Sequence, residues 1–222
     1  MNTSNVATEK RLIYNSDSTN IFFRPARQDE NVTPAHLQSI IDELAGSAVD
    51  VFASNIVDRW QAFYASDKFK TPGQDHESCN FFTHTLLARN IQNLLKNGHD
   101  PARIMLDRAH EHGMKFVASF RMNDMHPFTP ESPLYGAFRR EHLDWRLHYE
   151  DGTPSPGLDY AHPEVGDRTL AMLEEIIDKY DVDGIEFDFM RHPWFFQRGE
   201  EENGMKIMTD LMMRARRRLD AA

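Results

Sequence analysis

The run from Tyr180 to Phe196, YDVDGIEFDFMRHPWFF, holds the densest set of groups able to do chemistry in this chain. A strand has period two, so Ile185, Phe187 and Phe189 would share one face, and Glu186, Asp188 and Met190 the other. Burying a carboxylate costs several kcal/mol unless it is paired or hydrogen-bonded. A strand that places two on one face and then ends in Arg191-His192-Pro193 suits polar chemistry better than packing. Neighbours on one strand face lie roughly 6.6–7 Å apart and approach a substrate from the same side. A glycosidic bond, by contrast, is flanked by its two carboxylates. Asp188 as nucleophile or base would therefore need an acid from another strand. Glu186 would be a deeper orienting group, paired with Arg121 or Arg191. In the competing reading both acids are structural, bonded to Arg, Lys or backbone donors.

Other predicted strand ends carry similar groups. Lys115 to Phe120 reads as a strand whose exit is Arg121-Met122-Asn123-Asp124-Met125-His126. Arginine offers a rigid fork of donors, and histidine titrates near neutrality. Arg121, Asn123, Asp124 and His126 are thus candidates for a polar ligand. So are Asn15 and Asp17 after the first strand, Ser54 and Asn55 after the second, Tyr160, Arg191 and His192. The plain alternative is a loop tied by an Arg–Asp pair, with surface histidines. Trp194, Phe195 and Phe196 would form either a stacking platform for a sugar face or an aromatic lid on the rim. His110-Glu111-His112 lacks the spacing of a helical zinc motif, and both histidines are expected in solvent. No dinucleotide fingerprint, phosphate-binding loop or nucleophile elbow occurs. Neither a metal nor another cofactor is expected.

These residues need elements to hold them. Arg11 to Tyr14 reads as a short strand. Thr33-Pro34 is a helix start, followed by Leu37, Ile40, Ile41 and Leu44 at helical spacing and closed near Gly46. Val49 to Ala53 is the second strand. Leu87, Ile91, Leu94 and Leu95 mark a helix. Asp100-Pro101 opens another, closed near Gly113. Leu170, Leu173, Ile176, Ile177 and Tyr180 mark a helix before the fourth strand, and Met205 to Ala215 a last one. Segments 56–80 and 127–160 are long excursions, and FRREHLDWRLHYE in the second is expected to be a short helix. Strands alternating with helices argue for a parallel sheet, whose ligands gather at the C-terminal strand ends. The unusual polar groups fall at those ends.

Bulk properties narrow the partners. The 222 residues carry a formal charge of -10, which argues against nucleic acid. Arg214, Arg216, Arg217 and Arg218 sit near a helix end, where they complement the helix dipole and face solvent. A single cysteine, Cys79, allows no intrachain disulfide. MNTSNVATEKR has no apolar stretch, and no run reaches the roughly 18 apolar residues of a membrane span. A cytoplasmic protein without membrane contact is expected, with a flexible segment over 1–10 and one domain over 11–222.

The stretch HPEVGDRTLAMLEEIIDKYDVDGIEFDFMRHP resembles the central part of the glycoside-hydrolase-like family 10 proteins. The matching pieces are Pro163-Glu164-Val165, Tyr180 to Gly184, Asp188, Arg191 and Pro193, and Ser119 to His126 fits the preceding strand and loop. The resemblance implies a (β/α)8 TIM barrel, with 183–190 as its fourth strand and Asp188 as an active-site carboxylate. Glu186 departs from the family, where His or Gln is common. The implied activity is glycosidic-bond hydrolysis in an oligo- or polysaccharide, with Arg121, Arg191 and His126 on sugar hydroxyls or a carboxylate. Only about four strand–helix units are legible, the N-terminal half of a barrel. A fragment with little turnover of its own is expected, with self-association through open sheet edges. Two other readings stand beside hydrolysis. One is a non-catalytic carbohydrate-binding barrel. The other is a metal-dependent sugar isomerase or lyase with Glu186, Asp188, Asp124 and His126 as ligands.

Overall fold

The computed structural model describes residues 12–17, 19–23, 31–77 and 79–222. The segment 1–10 and Arg11 lie outside the described residues. The strands are β1 (Leu12–Ser16), β2 (Val49–Asp58), β3 (Gln61–Ala62), β4 (Lys115–Arg121), β5 (Arg146–His148), β6 (Pro154–Leu158) and β7 (Gly184–Asp188). The helices are α1 (Pro34–Asp42), α2 (Phe82–Lys96), α3 (Pro101–Glu111), α4 (Ala137–Glu141), α5 (Pro163–Lys179) and α6 (Glu201–Ala221).

The main sheet has five strands among the described residues: four run parallel in the order β1-β2-β4-β7, and β3 pairs antiparallel with β2. Each new parallel strand is added beside the previous one, and the order never reverses. A doubly wound sheet reverses at a switch point, whereas a barrel grows in one direction. The curvature is also that of a barrel. Neighbouring strands lie about 4.8 Å apart, so a flat sheet would hold β1 and β7 about 14 Å apart. Yet Asn15 Nδ2 of β1 donates to Glu186 Oε2 of β7 at 2.9 Å. The sheet bends until its two outer strands face each other across a concave surface.

Local sequence accounts for the helices. Pro34 opens α1, where Thr33 donates its backbone N–H to His36 Nδ1 at 3.1 Å. Asp100 caps α3 by accepting from the Ala102 N–H. In α5, Val165, Leu173 and Ile176 recur on the face buried against the sheet. Phe52, Phe116 and Phe120 line the convex side of the sheet and pack with Leu106, Met105 and Leu173 in one core. No helix among the described residues is long and apolar enough to cross a membrane.

The structure refines several sequence expectations. β2 runs on to Asp58, so Ser54 and Asn55 lie within it rather than at its exit, and Ser54 Oγ faces Met105 of α3. β7 ends at Asp188, leaving Met190 81% exposed beyond it instead of on the carboxylate face. The expected short helix in FRREHLDWRLHYE is α4, followed by a 3-10 turn over Leu143–Trp145. The chain then turns into β5, which pairs antiparallel with β6. His110 and His112 are exposed, as expected, and hydrogen-bond to Asp183 and Asp42, each at 2.9 Å.

Helix α6 packs its Gly204 under the ring of Phe196, where an added Cβ would fall 2.3 Å from Cδ2. Gly→Ala inside a helix ordinarily stabilises by up to about 1 kcal/mol. Gly204→Ala is expected instead to destabilise by roughly 1–3 kcal/mol through overpacking. Thermal denaturation decides the sign, and a stabilised variant would show that the ring is not seated there.

Candidate active site

The C-terminal end of the sheet places three charged side chains in one row. Asp58 of β2 is in register with Arg121 of β4, which is in register with Asp188 of β7. In a parallel sheet, register partners share a face. Asn55, Ser119 and Glu186 therefore form the row below, on the same concave side. A bulge makes this possible. The register shifts between Asn55 and Val57, with Ile56 as the extra residue. Without it Val57 would occupy the concave position, and Asp58 would point at the helices.

Arg121 is buried and joins three carboxylates. It donates through Nη2 to Asp17 Oδ1 and through Nη1 to Asp124 Oδ2 at 3.2 Å, and it lies 3.5 Å from Asp58 Oδ2. Arg59 Nη1 lies 2.8 Å from Asp58 Oδ2 and 3.0 Å from Asp124 Oδ2. Both acids are buried, but their environments differ. Burial pushes Asp58 up, because its contact with Arg59 is an ion pair without hydrogen-bond alignment. Burial also acts on Asp124, yet Arg59 and the two hydrogen bonds from His126 hold it well below the usual carboxylate range.

Asp58 titrates higher folded than unfolded, so its contribution is fully present below the unfolded value near 3.9. It is lost as pH rises through the raised folded value. Asp58→Asn should flatten the decline in stability on going up from about pH 4 toward neutrality. Urea denaturation across that range is the check, and identical slopes would refute the assignment.

Arg59 reaches this position through a strained turn. Asp58 pairs with Gln61, so Arg59 and Trp60 alone connect β2 to β3, with φ of 53° and 54°. Such turns usually hold Asn-Gly, because an L side chain in the left-handed region costs about 1–2 kcal/mol. The buried contacts hold both residues there. Trp60 packs on Phe138 and Tyr160, while the Arg59 guanidinium sits 4.6 Å above Phe128. Strain of this kind concentrates where a site needs a particular side chain.

Asp188 Oδ1 accepts the backbone N–H groups of Met190 (2.9 Å) and Arg191 (3.3 Å), which fixes the carboxylate at the strand end. Oδ2 has no hydrogen-bond partner among the described residues. Glu186 is held by Asn15 rather than by an arginine, contrary to the sequence expectation. His126 Nδ1 donates to Asp124 Oδ1 at 2.7 Å, since an ionised carboxylate can only accept. Its Nε2 lies 3.4 Å from Nη2 of the exposed Arg191. His192 Nδ1 accepts the Met125 N–H at 3.2 Å, and burial holds its pKa down.

The structure thus brings Asn15, Asp17, Arg121, Asp124, His126, Glu186, Asp188, Arg191 and His192 to one end of the sheet. Asn123 and Tyr160, read from sequence as ligand contacts, do structural work. Asn123 is buried and donates its amide to the carbonyls of Leu158 (2.9 Å) and Trp194 (2.8 Å). Tyr160 is buried and donates its hydroxyl to Met122 O at 2.6 Å. Both tie the 154–162 segment to the β4 exit. Asp58 and Arg59 were not singled out from sequence. The signal was the apolar pair Ile56-Val57 after Asn55, which continues the strand, but the bulge breaks its alternation. Trp194 and Phe196 line a groove of about 610 Å³ with Pro193, Phe195, Met205 and Met208 beside the rim.

A concave sheet that grows in one direction, with polar groups at its C-terminal strand ends, defines a TIM-barrel type of protein, with four parallel strands among the described residues. Comparison with known proteins narrows the class. Residues 15–207 match the model of the family described as Glycosyl hydrolase-like 10, and the chain belongs to that family. Glycosyl hydrolase DigH of Escherichia coli (strain K12) is 30% identical over 104 residues, covering 41% of this chain and 22% of DigH. The protein of that name from Shigella flexneri matches equally. The chain thus spans 22% of the length of the curated relatives it matches. Among solved structures, alpha-L-fucosidase isoenzyme 2 from Paenibacillus thiaminolyticus superposes with a TM-score of 0.52 at 16% identity. It covers 88% of this chain and 29% of the fucosidase, a likeness of fold.

Proposed function

We propose that this chain carries one wall of a glycosidase cleft and acts on a glycosidic bond of an oligo- or polysaccharide, with Asp188 as the catalytic carboxylate. The carrying observation is its position. Asp188 sits at the C-terminal end of the fourth parallel strand, beside Arg121, with Oδ1 fixed by two backbone donors and Oδ2 unpartnered among the described residues. Family membership supports the reaction class. In this reading Asp188 is nucleophile or base, and Glu186 with Asn15 forms the floor. Arg191, His126 and His192 meet sugar hydroxyls at the rim. Asp17 and Arg121 are the next layer, orienting rather than reacting.

Asp17, the acid that follows β1, is engaged by Arg121. The acid partner of Asp188 is therefore proposed to come from outside the four strands, and turnover by this chain alone to be slow. Among the described residues β1 and β7 each pair on one side only, so a second sheet edge can add to either. Self-association through these edges is part of the same reading.

The test is a panel of oligosaccharides incubated at high protein concentration, with products resolved by chromatography and binding measured by calorimetry. Binding with slow cleavage supports the proposal. Binding with no cleavage, even over long incubation, would favour the non-catalytic carbohydrate-binding reading. No binding would sink both.

A further inference from the structure

The loops after β4 and β7 bring together three side chains that the proposed hydrolysis does not use as a set. Asp124, His126 and His192 each present a ligand atom, and these atoms all lie within 4.8 Å of one another. We propose that they form a binding site for a single borderline divalent transition metal, zinc above all. This proposal does not depend on the glycosidase reading.

Distance comes first. Zinc holds carboxylate oxygens and imidazole nitrogens at about 2.0–2.2 Å, which places ligand atoms about 3–4 Å from one another. The three residues need only small adjustments to reach that spacing. The donor set comes second. Two imidazoles and one carboxylate favour zinc, cobalt or iron over calcium and magnesium, which take all-oxygen sites.

The surroundings are arranged as around a ligand. Asp124 is fully buried, and its two oxygens have separate partners. Oδ2 faces Arg59 at 3.0 Å and Arg121 at 3.2 Å, whereas Oδ1 is turned toward His126. Outer hydrogen bonds of this kind fix the orientation of ligating carboxylates. Nδ1 of His192 carries a lone pair, which the Met125 N–H occupies at 3.2 Å, so a metal at that nitrogen displaces this hydrogen bond. The metal takes the place of the proton that His126 Nδ1 shares with Asp124 Oδ1, and that proton leaves to solvent. Arg191 opposes entry, since its guanidinium stands 3.4 Å from His126 Nε2. It is exposed and has no carboxylate partner among the described residues, so it can turn away.

Three protein ligands leave at least one position open. The site would clamp the β4 loop to the β7 loop and offer the open position to a water or hydroxyl at the rim of the cleft.

Chelator-stripped protein titrated with ZnCl2 in a calorimeter tests this, with CoCl2 and visible absorption as the second readout. A single equivalent with a Kd of roughly 10 µM or below is expected. The cobalt form should show a d–d band. His126→Ala and His192→Ala should each weaken binding by about tenfold or more and weaken that band. Arg191→Ala removes only an exposed side chain and should tighten binding, with circular dichroism confirming the fold of every variant. No saturable binding, unchanged affinity in a folded histidine variant, or weaker binding by Arg191→Ala would overturn the assignment.

Discussion

Asp124→Ala is expected to destabilise the fold by about 3–5 kcal/mol, the range seen when one partner of a buried ion pair is removed. The magnitude rests on what Asp124 holds. Its side chain is fully buried and engages Arg59, Arg121 and both the backbone and ring N–H of His126. Removing it leaves two buried guanidiniums with Asp58 as their shared interior acid, although burial resists ionisation of Asp58. It also frees Arg59, whose contacts hold the left-handed turn at Arg59-Trp60. Asp124→Asn keeps the shape and the acceptor oxygen but loses the charge, so its cost should fall between wild type and alanine. Denaturant unfolding measures both. A loss below about 1 kcal/mol for alanine, the worth of an exposed ion pair, would show that the cluster is hydrated and not a buried hub.

That hub was only half legible in the sequence. Arg121 and Asp124 stood out because they follow a clear apolar strand directly. Asp58 and Arg59 did not, because recognition of a strand end relies on unbroken alternation, and the bulge at Ile56 interrupts it. Asn123 and Tyr160 misled for a related reason. A polar side chain at a strand exit looks the same in sequence whether it meets a ligand or a distant carbonyl. Asn123 meets the carbonyls of Leu158 and Trp194, 35 and 71 residues away, which no local pattern encodes. Glu186 was placed on the correct face by period two, but its partner Asn15 lies 171 residues earlier and is reached only through sheet curvature. The helices, set by Thr33-Pro34, Asp100-Pro101 and the apolar stripe of α5, came from local signals and were read well. The 137–158 excursion hid a two-stranded sheet because β6 has the sequence PSPGL, and proline and glycine argue against a strand.

Asp188→Asn should reduce glycoside turnover by about 10²–10⁴-fold, the contribution of a positioned acid or base, while leaving saccharide affinity within about twofold. Asparagine is the informative replacement. Its carbonyl oxygen can still accept from Met190 and Arg191, so the strand end and the rim residues after it keep their places. What disappears is the negative charge and the ability to take a proton or attack a sugar carbon. A merely structural Asp188 would behave oppositely, with stability and binding falling together and any residual rate following binding. Glu186→Gln separates the two acids. Its side-chain oxygen can still accept from Asn15 Nδ2, so an orienting Glu186 should lose far less rate than Asp188→Asn. Because slow turnover is expected from this chain alone, the ratio of variant to wild type is the quantity to measure. A drop of less than about tenfold for Asp188→Asn would move the catalytic role away from Asp188. A larger drop for Glu186→Gln than for Asp188→Asn would exchange the roles of the two carboxylates.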